Sequence, residues 1–84
     1  MEAQKLITLN DQDKYYLVDQ TIQNNIKYFL ANKLVNEEIS NQTIILKEKK
    51  VGEDFYLEEE TDKKTLKFLS TIFISKLINE IDEI

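Results

Sequence analysis

Apolar residues recur in short bursts through most of the chain, and polar clusters separate the bursts. Over residues 5–58 the bursts are rich in β-branched and aromatic side chains and alternate with polar positions, as is typical of β-strands. The clusters between them contain Asn and Asp, whose side chains favour turns by bonding to nearby backbone groups. The segment therefore predicts an antiparallel β-meander of about five strands.

Turn residues indicate where these strands end. The predicted strands cover residues 6–9, 15–22, 26–34, 43–49 and 55–57. Gln23-Asn24-Asn25 predicts a tight hairpin, because Asn tolerates a positive φ better than other residues with a side chain. Gly52, the only glycine, predicts another hairpin for the same reason. The polar segment 35–42 is predicted to be the longest loop.

Alternation along each strand predicts which side chains share a face of the sheet. In the second strand it assigns Tyr15, Leu17 and Asp19 to one face and the intervening residues to the other. The third strand, 26–34, is apolar on both faces near its middle. We therefore expect this strand to lie centrally in the sheet.

At Thr61-Asp62 the apolar period changes from that of a strand to that of a helix. Either residue is a suitable helix cap. The predicted core stripe follows spacings of three and four and consists of Leu66, Leu69, Phe73 and Leu77. We predict a C-terminal helix over residues 61–81 packed on the sheet. Because no repeat or linker is visible, residues 1–84 form one predicted α+β domain.

The apolar arc of this helix is wider than one buried face requires. Ile74, Ile78 and Ile81 flank one side of the core stripe, and Phe68 and Ile72 flank the other. One interpretation is that the helix lies deep in a concave sheet that buries both flanks. The other is an apolar interface with a second copy or another protein, because sizeable exposed apolar patches usually mark interfaces. Its residues would be Phe68, Ile72, Ile74 and Ile78.

The charges on the helix oppose its dipole. Lysines begin it and acidic residues end it: Lys63, Lys64 and Lys67, then Glu80, Asp82 and Glu83. Such a reversal is unfavourable within the first and last turns. Either the end of the helix is frayed and solvated, or its acidic residues meet a basic partner.

Composition narrows the chemistry that this chain can perform. It has no Cys, His, Arg, Trp or Pro. Nucleophilic triads need an imidazole or an equivalent base, mononuclear zinc sites normally use Cys or His, and phosphate-binding loops need several glycines. We therefore predict a protein that is not an enzyme and has no cofactor and no metal.

The net charge of −5 and the absence of Arg weigh against direct nucleic-acid binding, which needs clustered cations. The predicted acidic partner surface consists of Glu37, Glu38, Glu58, Glu59, Glu60, Glu80, Asp82 and Glu83. No apolar run reaches the length of a signal peptide or a membrane span, so we expect a cytoplasmic protein that does not bind membranes.

Short motifs along the chain resemble the YrzB-like family, small acidic proteins of unknown function from low-GC Gram-positive bacteria. The resembling segments are Ile7-Thr8-Leu9-Asn10-Asp11, Leu17-Val18-Asp19, Lys27-Tyr28-Phe29-Leu30, Ile44-Ile45-Leu46-Lys47, and Leu57-Glu58 leading to Asp62. The resemblance implies a compact fold of a sheet and a helix. It implies no known activity and assigns no functional residue.

Two functional hypotheses follow from these patterns. The first is a non-enzymatic acidic domain that binds a protein partner, for example an inhibitor covering a cationic surface of a nucleic-acid-handling protein. A phage-encoded anti-CRISPR or other anti-defence factor, acting in the host cytoplasm, is the sharpest form of this hypothesis. The alternative is a housekeeping domain that forms a homodimer through its C-terminal helix.

Overall fold

The computed structural model describes residues 4–9 and 13–82, with side chains described up to Ile78. Over these residues the chain forms a five-stranded antiparallel meander followed by a helix, as predicted. The elements are β1 (Leu6–Leu9), β2 (Asp13–Gln23), β3 (Ile26–Val35), β4 (Glu38–Val51), β5 (Asp54–Glu59) and α1 (Lys63–Asp82). Strand order in the sheet follows chain order, with β3 at the centre. The polar break predicted between the first two strands covers residues 10–13, of which 10–12 lie outside the described residues and Asp13 begins β2.

Two predicted hairpins are confirmed. Asn24 and Asn25 have φ angles of 53° and 64° and connect β2 to β3 as a two-residue turn. Two successive positive φ angles are the signature of a type I′ turn, whose twist matches that of the flanking strands. Gly52, at φ 63°, begins the equally short turn between β4 and β5.

The loop predicted over residues 35–42 is wrong, because β3 and β4 form a third tight hairpin. Asn36 and Glu37 have φ angles of 54° and 65°, and β4 begins at Glu38. The polar residues that follow belong to a bulge in β4, where the pairing with β3 changes register. There the Ser40 hydroxyl donates a hydrogen bond of 2.7 Å to the Lys33 carbonyl. The segment is polar because it combines a turn with a bulge.

A second bulge in β2 reverses the predicted orientation of Asp19. Leu17 pairs with Ala31, whereas Asp19 pairs with Leu30, so the register shifts at Val18. Since Leu30 and Ala31 are consecutive in β3, they lie on opposite faces of the sheet. Asp19 therefore lies on the face opposite Leu17, where a strand with unbroken alternation would not place it.

One face of the sheet encloses the more deeply buried of two apolar clusters. This inner cluster consists of Tyr15, Leu17, Phe29, Ala31 and Leu46. Ile7 and Leu9 from one edge strand and Leu57 from the other pack against the same cluster. Both edges of the sheet thus contact one core, because the sheet curves into a barrel-like, nearly closed form.

The outer cluster lies on the opposite face and includes the helix. It consists of Tyr28, Ile45, Leu69 and Phe73, with Ile26, Leu30, Leu66 and Ile72 packed against it. Because the inner cluster is enclosed by the strands, α1 crosses the outer face of the sheet. The interpretation that the helix lies in the concavity of the sheet is therefore wrong. The expectation that β3 is apolar on both faces and central is confirmed.

Asp62 caps the start of α1. Its carboxylate accepts hydrogen bonds from the Thr65 N–H at 2.9 Å and the Thr65 hydroxyl at 2.7 Å. The Leu66 N–H donates to the Asp62 carbonyl at 2.9 Å, which closes the first helical turn. These bonds to the ionised form, first from the Thr65 side chain and then from its backbone, lower the pKa of Asp62 below 3.8. The capping prediction is thus confirmed for Asp62.

Candidate protein-interaction surface

The buried stripe of α1 ends one turn earlier than its periodicity predicts. Leu69 is fully buried and Phe73 is 5% exposed, but Leu77 is 57% exposed. By this turn the helix has reached β2, where the Lys76 Nζ lies 2.7 Å from an Asp19 carboxylate oxygen. Strand β1 pairs with β2 up to the pair Leu6 and Tyr16, and the backbone of Gln4 and Lys5 bonds to Leu17, so no strand among the described residues flanks the later part of β2. Leu77 is exposed because the described part of the sheet does not extend beneath it.

The last described turns of α1 carry an exposed aliphatic strip, formed by Ile74, Leu77 and Ile78. Each of these side chains is more than half exposed. Spacings of three and four place them side by side on the helix surface. Phe68, on the opposite flank, is also more than half exposed, whereas Ile72 packs against the outer cluster. Of the four predicted interface residues, the structure leaves three exposed.

An open groove of about 430 Å³ runs beside the aliphatic strip, between the helix and the outer face of the sheet. Its lining consists of Gln4, Val18, Asp19, Leu30, Ser70, Phe73, Ile74 and Leu77. The bulge in β2 explains why the consecutive residues Val18 and Asp19 both border it. Sequence reasoning did not find this groove, because alternation carries no signal for a bulge at a Val-Asp pair.

Electrostatics leave the aliphatic strip uncharged. Lys76 is the only ionisable residue between Phe68 and Ile78. Its ammonium group also donates a 2.7 Å hydrogen bond to the Gln20 carbonyl, besides contacting Asp19. The side chain is thus directed toward β2 and away from the strip. Among the described side chains, a partner covering the strip would therefore not have to desolvate an unpaired charge.

The predicted acidic surface is divided by the fold. Glu38 pairs with Val35, and Glu59 pairs with Leu46, which in turn pairs with Phe29. Val35 and Phe29 are six residue steps apart along β3, so the two acidic groups lie about 20 Å apart along the sheet. Glu37 lies with the first group, and Glu58 and Glu60 with the second. The side chains of Glu80 and Asp82, and the whole of Glu83, lie outside what the structure describes.

Contacts already engage part of the second acidic group. Glu58 lies 3.4 Å from the Lys49 ammonium. Glu60 accepts a 3.2 Å hydrogen bond from the Thr61 N–H. Burial raises the pKa of the Tyr28 hydroxyl above 10.0, and the negative charge of Glu60 adds to the increase. Packing of Tyr28 in the outer cluster and capping of α1 by Asp62 account for the two pKa shifts.

The described residues contain no cluster of three or more His, Cys, Asp or Glu residues arranged to hold a metal ion. Within the same part of the chain, no helix has the length and apolar character needed to cross a membrane.

Comparisons with protein-family models, curated proteins and solved structures find no match to this chain. The resemblance to the YrzB-like family therefore remains a prediction from short motifs.

Proposed function

We propose that this chain is a non-enzymatic protein-interaction domain that self-associates through the aliphatic strip of α1. The observation that carries the proposal is the exposure of Ile74, Leu77 and Ile78 beside an apolar groove. Single exposed aliphatic residues are ordinary on protein surfaces, but a contiguous group next to a groove is typical of contact sites.

A second copy of the chain can complement part of the charge on this helix. The first two turns of α1 carry Lys63, Lys64 and Lys67, and the sequence of its last turn includes Glu80 and Asp82. Two helices packed antiparallel about the centre of the strip place residue 82 of one copy level with about residue 70 of the other. Lys67 then lies within about one turn of the acidic end of the other copy, whereas Lys63 and Lys64 lie about two turns beyond it, so the complementarity between copies rests on Lys67.

The size of the strip sets the expected affinity. Full burial of one aliphatic side chain contributes about 1.5–3 kcal/mol, and these side chains have only part of their surface left to bury. Association itself costs at least about 4 kcal/mol. We therefore expect a weak dimer, with a dissociation constant in about the micromolar to millimolar range.

An inhibitor of a cationic surface is the second proposal, in the cytoplasm of a bacterium or of a phage host. It requires the acidic residues to act together on one partner. The distance of about 20 Å between the groups of Glu38 and Glu59 makes a single compact contact harder to form than one on the strip. Reversal of Glu58 and Glu59 to lysine would abolish low-salt binding to such a partner, and unchanged binding would reject the inhibitor proposal.

Sedimentation equilibrium from about 10 µM to about 1 mM tests self-association directly. We expect the average mass of the wild-type chain to rise above the monomer mass of 10.0 kDa with concentration. The double variant Ile74→Glu, Ile78→Glu should stay monomeric, because each new carboxylate would be desolvated in the contact.

The matched control makes the same change at two exposed isoleucines of the sheet, Ile22→Glu and Ile39→Glu. It should associate like the wild type, with thermal unfolding confirming that all variants fold. A wild-type chain that stays monomeric at the highest concentration contradicts the proposal. So does a helix variant that associates as strongly as the control.

A further inference from the structure

Strand β5 is one of the two edge strands of the nearly closed sheet. It pairs with β4 in an unbroken register from Val51 and Asp54 to Leu46 and Glu59, and no described strand pairs with its other side. The Glu60 N–H donates to the Ile45 carbonyl at 2.9 Å. Because backbone groups alternate along an antiparallel strand, those of Phe55, Leu57 and Glu59 point away from β4.

Aromatic side chains of β5 are exposed beside this edge. Phe55 is 50% exposed and Tyr56 is 54% exposed, on opposite faces of the strand. Natural edge strands are commonly shielded by proline or by bulges. The chain contains no proline, and the pairing of β5 with β4 has no register shift. The edge is therefore regular, partly aromatic and able to accept another strand.

Charge indicates which strand would bind. Residues 53–62 contain six acidic residues and no basic one: Glu53, Asp54, Glu58, Glu59, Glu60 and Asp62. Lys49 offsets Glu58, but none of the ion pairs between described residues involves Asp54 or Glu59. Two-fold antiparallel pairing of β5 with a second copy would place Asp54 opposite Glu58 when centred on Tyr56, or opposite Glu60 when centred on Leu57, and like charges directly opposite are destabilising.

We propose that β5 is a docking strand for an extended segment of a cationic partner protein. The segment adds to the sheet as an antiparallel strand, bonded to the outward backbone groups of Phe55, Leu57 and Glu59. Lysine or arginine side chains lie on the face of β5 that carries Asp54 and Glu58, and apolar side chains lie on the opposite face, against Phe55 and Leu57. The site is separate from the aliphatic strip of α1, so either proposal can fail without the other.

Binding of a synthetic peptide to the full chain tests this proposal. The probe is a peptide of about eight residues that alternates lysine and valine, and the control peptide alternates glutamate and valine. NMR-detected amide exchange should show new protection at Phe55, Leu57 and Glu59 when the lysine peptide is added. The amides of Tyr56 and Glu58 face β4, so their exchange should stay nearly unchanged.

Variants at Phe55 separate backbone pairing from simple charge attraction. Phe55→Ala and Phe55→Pro both remove the ring, but only proline removes the outward N–H, and proline is tolerated at strand edges. We expect Phe55→Pro to bind the lysine peptide about tenfold more weakly than Phe55→Ala. Circular dichroism checks that both variants fold. The protection pattern of the wild-type chain tests the proposal even if a variant does not fold.

Alternating protection in β5, together with stronger binding of the lysine peptide than of the glutamate peptide, supports the docking strand. The proposal is overturned by three results: no binding at millimolar peptide, equal binding of the glutamate peptide, or binding without protection of the outward amides.

Discussion

The two faces of the sheet hold two kinds of apolar cluster. The inner cluster contains Leu17, Phe29 and Leu46, all fully buried, and strands from both edges close over it. The outer cluster depends on one helix, of which Leu69 and Phe73 are the deeply buried residues. Beyond Phe73 the helix continues past the supporting sheet and exposes aliphatic residues. The comparison indicates that stability is concentrated inside the sheet, whereas contact surface is concentrated on the helix.

The largest effect is expected in the inner cluster. Replacing Phe29 with Ala removes a fully buried ring and should lower the free energy of unfolding by about 3–5 kcal/mol. Phe55→Ala is the matched control, because that ring is half exposed, and it should cost less than about 1 kcal/mol. Denaturant unfolding of both variants measures the difference. Equal losses would show that the inner cluster is not the main source of stability.

A smaller contrast is expected within the helix itself. Leu69→Ala should cost about 2–3 kcal/mol, because its side chain is fully buried against the sheet. Leu77→Ala makes the same chemical change one turn beyond Phe73, where α1 no longer packs on the sheet, and should cost about 0.5 kcal/mol or less. These values apply to the monomer, so unfolding is followed in dilute protein. A loss at Leu77 as large as that at Leu69 would mean that the aliphatic strip packs against the monomer.

The smallest effect concerns the start of the helix and depends on pH. The lowered pKa of Asp62 means that its carboxylate stabilises the folded chain above pH 3.8. This contribution is lost as the pH falls through the lowered pKa. Asp62→Asn retains a capping side chain without a titratable group. Between about pH 5 and pH 2 the wild type should therefore lose more stability than the variant, in denaturant unfolding at each pH. Parallel losses would contradict this assignment.

Local chemistry was enough to predict much of the fold. Asn24-Asn25 and Gly52 supply the positive φ angles of two hairpins, and Asp62 supplies the helix cap. The hairpin at Asn36-Glu37 was missed because Glu is an unusual residue at positive φ.

The candidate surface depended on features that periodicity does not encode. The aliphatic spacing predicted Ile74 and Ile78 as contact residues, but it placed Leu77 in the core. Whether Leu77 is buried depends on how far the sheet extends beneath the helix, which is set by the short pairing of β1 with β2. The groove depends in turn on the bulge at Val18, since that bulge directs Asp19 to Lys76.

The central claim is that α1 is the contact surface and the sheet is the stable support. Backbone amide chemical shifts recorded from about 1 mM to about 10 µM test it most directly, without any substitution. We predict that shifts change with dilution at residues 70–78 and around Val18 and Leu30 in the groove. Shifts at Phe29 and in β5 should stay constant. Shifts independent of concentration, or changes that map to β5 and not to α1, would contradict the account.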